Sequence, residues 1–265
     1  MKPPVLIITG YGLNCEAESK AAWEISGADP RLIHLNDLLD APSFLHDHKI
    51  LMLIGGFSFG DHLAGSGHVL ALRIAQRMKD HIGSFIQKGG LILGICNGFQ
   101  TMVKTGLLPG FDNNYFIQKL ALMHNDCGVF QNFWVRIAFE PDSPCVFTRG
   151  LSAMDLPVRH GEGRLFTADR NLMRQIESSR LVACRYADPE TNLPASAFPH
   201  NPNGSLNAVA GLCDPTGRVF GLMPHPEAYI FPENHPRWQY RRLNGTLPPE
   251  GEGLKIFRNA VDYWQ

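Results

Sequence analysis

Short apolar runs alternate with helical patterns through the first hundred residues of this chain. Each run is five to seven residues long and ends in or beside a turn residue, which is typical of buried strands in a parallel sheet. Helical patterns lie between them over 16–27, where Gly27 is a stop signal, and over 68–88, which is amphipathic. This alternation predicts an α/β fold with a largely parallel central sheet flanked by helices. The runs are residues 5–10, 31–35, 50–56 and 91–96.

The second half of the chain has a more antiparallel character. Its short apolar runs are separated by Pro, Gly, Asn and Asp turns, and a long polar loop covers 188–205. The chain has no internal repeat, linker or break in composition, so we expect a single domain over 1–265. The predicted additional strands are 133–139, 156–163, 181–186, 208–214 and 219–225.

Charge and cysteine content exclude several classes of protein. Lys plus Arg (24) nearly balances Asp plus Glu (25) without basic or acidic blocks, which argues against a nucleic-acid or anionic membrane surface. The first apolar run is too short for a secretory signal, and no run is long enough to predict a membrane span. The six cysteines show no CxxC spacing, so we expect reduced thiols in a cytoplasmic protein.

The stretch "LILGICNGFQ" places Cys96 directly after a predicted strand, between Gly94 and Gly98. This G-x-C-x-G spacing is the cysteine form of a nucleophile elbow, with a helix predicted from Asn97 to Thr105. The N-terminus of that helix would favour a thiolate and lower the pKa of the thiol. The alternative is a buried cysteine in a structural corner, and the stretch alone is compatible with both.

A thiolate nucleophile needs a base, and "GLMPHPEA" (221–228) contains a histidine two residues before a glutamate. Met223 and His225 each precede a proline, which favours extended backbone over 223–227. Side chains two apart on an extended chain point to the same side. His225 and Glu227 are therefore predicted to lie together, with the carboxylate holding one ring nitrogen.

Acyl transfer also requires donors for a developing oxyanion. The backbone N–H of Asn97 follows the nucleophile directly, and a second loop with Gly55 and Gly56 follows the run at 50–56. Those glycines allow amides to turn toward a ligand, although a plain glycine turn explains them as well.

Taken together, the cysteine elbow, the His-x-Glu pair and the glycine loop resemble a class I (triad-type) glutamine amidotransferase. The motifs "GGFSFGD", "HGEGRL", "NPNGS" and "DPTGRVFGLMPHPE" are similar to those of the glutaminase subunits of phosphoribosylformylglycinamidine synthase, in their longer variant. The resemblance implies a flavodoxin-like fold and hydrolysis of L-glutamine to glutamate and ammonia for purine biosynthesis. It also implies that the ammonia is delivered to a synthase.

The resemblance also implies a role for individual residues. Cys96 would attack the glutamine side chain, His225 would transfer protons, and Glu227 would orient His225. The implied oxyanion donors are Gly56, Phe57 and Asn97, and the implied substrate contacts are Gln100, Asn125, Asp126 and Cys127.

The chain departs from the family pattern at three positions near these residues. Cys127 stands where serine is usual, Val129 where a longer residue is common, and Ala228 where a basic residue often follows the His–Glu pair. The first two concern the substrate pocket, and the third concerns the partner surface.

The same resemblance implies partner subunits for this chain and no cofactor bound to it. The sequence has no Walker-type or dinucleotide glycine motif, so ATP and Mg²⁺ are expected on the synthase partner and no cofactor or metal on this chain. A small third subunit of the same complex is a further candidate partner.

Cys15, Cys145, Cys184 and Cys213 are interpreted as buried bystanders. Two alternatives remain: a stand-alone cysteine hydrolase, and a non-catalytic regulatory subunit with the same fold.

Overall fold

A mixed β-sheet built from both halves of the chain organises the molecule. The computed structural model describes residues 2–63 and 65–265, with the side chains of 61–63 excepted. The strands are β1 (Pro4–Thr9), β2 (Asp29–His34), β3 (Ile50–Leu53), β4 (Leu91–Ile95), β5 (Ala121–His124), β6 (Gln131–Phe139), β7 (Ala153–His160), β8 (Glu162–Phe166), β9 (Val182–Ala187), β10 (Val209–Cys213) and β11 (Val219–Leu222).

The sheet order is β2-β1-β3-β4-β11-β10-β9-β6-β7 among the described residues, and β5 and β8 form a separate antiparallel pair. The pairs β1–β2, β1–β3, β3–β4 and β4–β11 are parallel, whereas β10 pairs antiparallel with both β11 and β9, and β6 with both β9 and β7. The predicted parallel first half and antiparallel second half are confirmed. The exception is β11, which runs parallel to β4.

The parallel pairing of β11 with β4 brings the predicted site residues together. β11 lies beside β4 with Gly221 opposite Gly94 and Leu222 opposite Ile95, so the two strands end at the same edge of the sheet. The residues that follow them, Cys96 and His225, are thereby brought to one place. In open α/β sheets ligands bind at such carboxyl ends.

Helices cover the sheet in packed pairs. α1 packs against α8, where the rings of Trp23 and Phe257 meet edge to face at 4.9 Å, and α3 packs against α5. The helices are α1 (Glu16–Ile25), α2 (Leu35–Asp40), α3 (His68–Arg77), α4 (Lys79–Gln87), α5 (Asn97–Thr105), α6 (Arg170–Ser178), α7 (Trp238–Leu243) and α8 (Leu254–Asp262). In the described part of the chain, none of them has the length and hydropathy of a membrane span.

The amphipathic pattern over 68–88 is two helices rather than one. Met78 separates α3 from α4 with φ −116° and ψ −3°, and its side chain is buried. The two helices pack against different neighbours, α3 against α5 and α4 against the 3-10 turn Pro42–Asp47. Amphipathic spacing alone carries no signal for such a change of partner.

Candidate active site

Cys96 sits on a sharp turn between β4 and α5. Its φ of 51° and ψ of −104° are rare for a residue with a side chain, and such conformations cluster at functional sites. Its N–H donates to the carbonyl of Leu222 at 2.8 Å, and its carbonyl accepts from the N–H of Gln100 at 3.0 Å. These bonds hold the elbow in place at the first turn of α5.

Two glycines make the elbow possible because strand and helix approach closely there. A Cβ on Gly98 would lie 1.9 Å from the carbonyl oxygen of Leu53, and one on Gly94 would lie 2.2 Å from Sδ of Met102. Neither position has room for a side chain. The glycines therefore have the role that the G-x-C-x-G spacing predicts.

His225 and Glu227 form a buried pair beside the elbow. Nδ1 of His225 lies 2.6 Å from Oε1 of Glu227, and both side chains are almost fully enclosed. The expected extended backbone over 223–227 is wrong in part, because Pro226–Ala228 form a 3-10 turn closed by the N–H of Ala228 on the carbonyl of His225. Proline suits the first position of such a turn because its missing N–H is not needed there. The two side chains meet nonetheless.

The electrostatics of the pair make the imidazole of His225 a stronger base. Burial alone would lower the pKa of His225, but the carboxylate of Glu227 and the neighbouring Cys96 raise it well above its ordinary value. Nε2 of His225 has no hydrogen-bond partner among the described residues, and the Cys96 thiol instead donates to the carbonyl of Arg159 at 3.6 Å. Nucleophile and base are thus adjacent without being hydrogen-bonded, as is common before a substrate tightens a site.

A cavity of about 270 Å³ opens over this group. Of the predicted site residues, Gly56, Phe57, Cys96, Gln100 and His225 line it. A concave pocket with a few convergent polar groups is the usual form of a small-molecule site.

The glycine loop after β3 is bonded to the segment that precedes α1. Gly56 has φ +140°, and a Cβ there would lie 2.6 Å from the carbonyl oxygen of Gly12. The N–H of Phe57 donates to that same carbonyl at 2.7 Å. The Phe57 amide is therefore engaged within the protein in this conformation. The oxyanion role of Gly56 and Phe57 stays a prediction, and for Phe57 it requires that this bond open.

Asn97 and Gln100 lie on the first turn of α5, and both are buried. Nδ2 of Asn97 donates to Oε1 of Gln100 at 3.2 Å, and Nε2 of Gln100 donates to the carbonyl of Glu162. Their predicted roles concern different atoms, the backbone N–H of Asn97 and the side chain of Gln100. Both roles stay predictions.

Asn125 ties the loop after β5 to β7 and β8. Its Nδ2 donates to the carbonyls of Val129 and His160, each at 2.9 Å, and its Oδ1 accepts from the N–H of Gly163 at 3.2 Å. This buried side chain is a backbone clamp. A direct contact with substrate stays a prediction for it.

The neighbours of Asn125 are more open to solvent. Asp126 and Cys127 are exposed, and Nε2 of Gln131 donates to Sγ of Cys127 at 2.8 Å. Neither residue lines the cavity, whereas Phe130 of the same segment does. Their substrate role also stays a prediction.

Two residues of the site are not marked by the sequence patterns, and one is His160. It is buried, lines the cavity, and has Nδ1 3.2 Å from Oδ1 of Asn125. Because an amide oxygen only accepts, Nδ1 carries the proton and Nε2 is an acceptor. Burial and the charge of His225 lower the pKa of His160 to about 3. The signal that could have found it is the "HGEG" motif, whose first residue is His160.

The other is Cys15, for which the interpretation as a bystander is incomplete. All six cysteines are free thiols, and Cys15 is buried yet lines the same cavity as Cys96. Its Sγ and the ring of His225 both touch the position where a Cβ on Gly55 would lie, at 3.0 and 2.9 Å. Burial raises the pKa of Cys15 to about 11, although the neighbouring His225 opposes the shift. No local pattern marks this proximity.

Similarity to known proteins shows the family of this chain. The model of the CobB/CobQ-like glutamine amidotransferase domain matches residues 2–264. The phosphoribosylformylglycinamidine synthase subunit PurQ of Methanococcus maripaludis is 40% identical over 268 residues, which cover 99% of this chain and 97% of that protein. PurQ of Dehalococcoides mccartyi is 41% identical, with 99% and 98% covered.

Solved structures are similar as well. The structure of PurLQS from Thermotoga maritima contains a chain that matches with a TM-score of 0.71 and 30% identity, and all of both chains is covered. A glutamine amidotransferase from the same organism matches at 13% identity with a TM-score of 0.53, which shows a shared fold. The chain therefore belongs to the glutamine amidotransferase family and, within it, to the PurQ subunits of phosphoribosylformylglycinamidine synthase.

Proposed function

We propose that this chain is a glutaminase subunit that hydrolyses L-glutamine to glutamate and ammonia and delivers the ammonia to a phosphoribosylformylglycinamidine synthase in purine biosynthesis. The observation that carries the proposal is the strained Cys96 elbow beside the buried His225–Glu227 pair. A thiol, a base and a group that orients the base are the parts that acyl transfer through a cysteine requires.

The first half-reaction forms a thioester. Nε2 of His225 takes the proton of the Cys96 thiol, and the thiolate attacks the side-chain carbonyl carbon of glutamine, forming a C–S bond. When the tetrahedral intermediate collapses, its C–N bond breaks and His225 returns the proton to the leaving nitrogen. Ammonia departs, and a γ-glutamyl group stays on Cys96.

The second half-reaction regenerates the thiol. Water attacks the thioester while His225 takes one of its protons, and the C–S bond breaks as the proton passes to the sulfur. Glutamate is released. Throughout, Glu227 holds the ring by the 2.6 Å contact with Nδ1 and balances the charge of the imidazolium.

Both half-reactions place negative charge on the former carbonyl oxygen. The backbone N–H of Asn97, at the start of α5, is the first donor in this proposal, and an amide of the loop at Gly56 and Phe57 is the second. One such donor contributes on the order of 10² to 10³ in rate.

We further propose that the step that consumes ammonia occurs on a separate synthase subunit, which binds ATP and Mg²⁺, and that a small third subunit completes the assembly. The support is that the PurQ relatives are named as synthase subunits and that the similar Thermotoga maritima structure is that of PurLQS. A cytoplasmic location is proposed on the six free thiols, which suit a reducing compartment.

The test is glutamate release from L-glutamine, measured with the synthase subunit and its substrates present. Cys96→Ser and His225→Ala should each abolish turnover, whereas Cys145→Ala, which removes a buried thiol that does not line the cavity, should retain it. Turnover by Cys96→Ser at the unchanged rate would refute the proposal. Hydrolysis of esters without hydrolysis of glutamine would indicate a stand-alone cysteine hydrolase instead.

A further inference from the structure

The motif "HGEG" (160–163) joins β7 to β8, and the triad chemistry does not use it. Its backbone supports two separate segments of the site. The carbonyl of Glu162 accepts from Nε2 of Gln100 on α5. The carbonyl of Gly161 accepts from the N–H of Asn125 at 2.9 Å. The turn between β7 and β8 is therefore a common support for α5 and for the loop after β5, and both Gln100 and Gly161 line the cavity.

The side chain of Glu162 reaches a third segment, which directly precedes α3. The carboxylate is buried, and its Oε1 accepts from the N–H of Gly65 at 3.1 Å while Oε2 accepts from the N–H of Ser66 at 3.0 Å. Ser66 is buried as well and lines the cavity. Gly67 packs on α5, since a Cβ there would lie 2.8 Å from the backbone nitrogen of Thr101. One carboxylate thus holds Gly65 and Ser66 as a wall of the cavity.

We propose that Glu162 is a positioning residue of the glutaminase, which holds the wall formed by Gly65 and Ser66 and thereby sets the affinity of the cavity for glutamine. The effect on glutamine rests on the proposed function, whereas the contacts of the carboxylate do not depend on it. Glu162 itself does not line the cavity, so it acts through Ser66 and takes no part in the bond changes at Cys96.

The contact requires a carboxylate rather than an amide. Two backbone N–H groups point at two oxygens, and an ionised carboxylate offers only acceptors. In Glu162→Gln one oxygen is replaced by an NH₂ group, so one N–H of the wall faces a donor and loses its acceptor. A buried N–H without an acceptor is destabilising, so the wall moves. Nδ1 of the exposed His124 lies 3.6 Å from Oε1 of Glu162, which is too far for a hydrogen bond.

A displaced wall should weaken substrate binding more than chemistry. The wall contacts bound glutamine in the ground state and in the transition state alike. Losing contacts of this kind raises KM with little change in kcat.

The kinetic test measures glutamine hydrolysis in the assembled enzyme. Glu162→Gln, and Glu162→Asp with its shorter charged side chain, should each raise KM for L-glutamine by about tenfold or more and change kcat by less than about threefold. Glu177→Gln is the matched control and should keep KM, because the Glu177 carboxylate lies 2.6 Å from Arg185 and lines no part of this cavity. An unchanged KM in both Glu162 variants, or a loss confined to kcat, would overturn the proposal. An equal rise of KM in the control would do so too.

Hydrogen exchange tests the position of the wall independently of turnover. In the purified chain, NMR should show that amide exchange at Gly65 or Ser66 is at least about tenfold faster in Glu162→Gln, while Leu93 in β4 keeps its rate. Thermal unfolding shows whether the variant is folded. Unchanged exchange at both wall amides would refute the positioning role. If the unchanged enzyme does not hydrolyse glutamine, the proposed function fails, and exchange still decides whether Glu162 holds this wall.

Discussion

At the scale of the residue, the backbone of Cys96 differs from that of three other residues with positive φ. Phe59, Asp112 and Asn207 also have positive φ, but their ψ values near 30° place them in the left-handed region. Cys96 combines φ 51° with ψ −104°. Such backbone strain amounts to about 1–3 kcal/mol and persists only where contacts with the surrounding structure hold the residue in that conformation. Here the surroundings are β4, β11 and α5, and the result is a sulfur held at the end of two strands.

Glu227→Gln should leave the fold intact and reduce turnover by several powers of ten. An amide can present its NH₂ to Nδ1 of His225, which favours the wrong tautomer and does not balance an imidazolium. The measurement is kcat for L-glutamine in the assembled enzyme. Glu233→Gln, an exposed neighbour in the turn Pro232–Asn234, is the matched control and should retain the unchanged kcat. Equal kcat in the two variants would remove Glu227 from the mechanism.

At the scale of the element, α5 packs so closely on β3 that one added methyl group should disrupt the packing. Gly98→Ala puts its Cβ 1.9 Å from the backbone oxygen of Leu53, which only a shift of helix or strand can relieve. We expect a loss of about 3 kcal/mol or more in the free energy of unfolding, together with lost glutaminase activity.

The matched control is Gly83→Ala. Gly83 lies inside α4 with open space around its Cβ position, so alanine should stabilise by about 0.5–1 kcal/mol through its better helix propensity. Denaturant unfolding measures both changes. Equal effects of the two substitutions would show that the contact with Leu53 does not constrain the elbow.

Asp155 on β7 joins the segment around α7 to the sheet. Its carboxylate lies 2.7 Å from Arg241, 3.2 Å from His235 and 3.3 Å from Arg136. Burial raises the pKa of Asp155, but the bond with His235 and the charges of the two arginines outweigh it and lower that pKa below its ordinary value. A carboxylate whose pKa is lower in the folded than in the unfolded protein contributes its full stabilisation of the fold at pH values above its unfolded pKa of about 3.9. That contribution is lost as the pH falls through the pKa of the folded state.

Asp155→Asn should therefore reduce the free energy of unfolding by about 1–3 kcal/mol at pH 7, and the difference from the unchanged protein should shrink toward pH 3. Denaturant unfolding at both pH values is the measurement. Asp142→Asn, whose exposed carboxylate lies 3.8 Å from Arg180, should change stability by less than about 0.5 kcal/mol. A difference for Asp155→Asn that is independent of pH would contradict the assignment.

At the scale of the whole molecule, the site depends on which strands are neighbours. The bounds of α5 and the strands of the first half follow from local patterns, because strand length, apolar content and glycine position are local properties. The meeting of Cys15, His160 and His225 around one cavity could not be predicted in this way. It arises because β11 enters between β4 and β10, and pairing between distant segments leaves no periodic signal in either one.

The complete enzyme should control the glutaminase. In this conformation the N–H of Phe57 is bonded to the carbonyl of Gly12, and a missing oxyanion donor reduces the rate by about 10² to 10³. A partner that binds one loop conformation better shifts the loop toward it. We expect little glutamate release from the isolated chain and at least a tenfold increase with the synthase subunit, nucleotide and substrate. Full activity from the chain alone would contradict this coupling.

The most direct test of the central claim is to map where a glutamine-analogue electrophile, such as a diazoketone, reacts with the chain. Cys96 and Cys15 line the same cavity, but the Cys15 thiol stays protonated because its pKa is raised to about 11, whereas Cys96 lies at a helix N-terminus. Mass mapping after incubation with the partner should find one equivalent on Cys96, and L-glutamine should protect against the reaction. A label on Cys15 or Cys127, with Cys96 unmodified, would contradict the claim that Cys96 is the nucleophile.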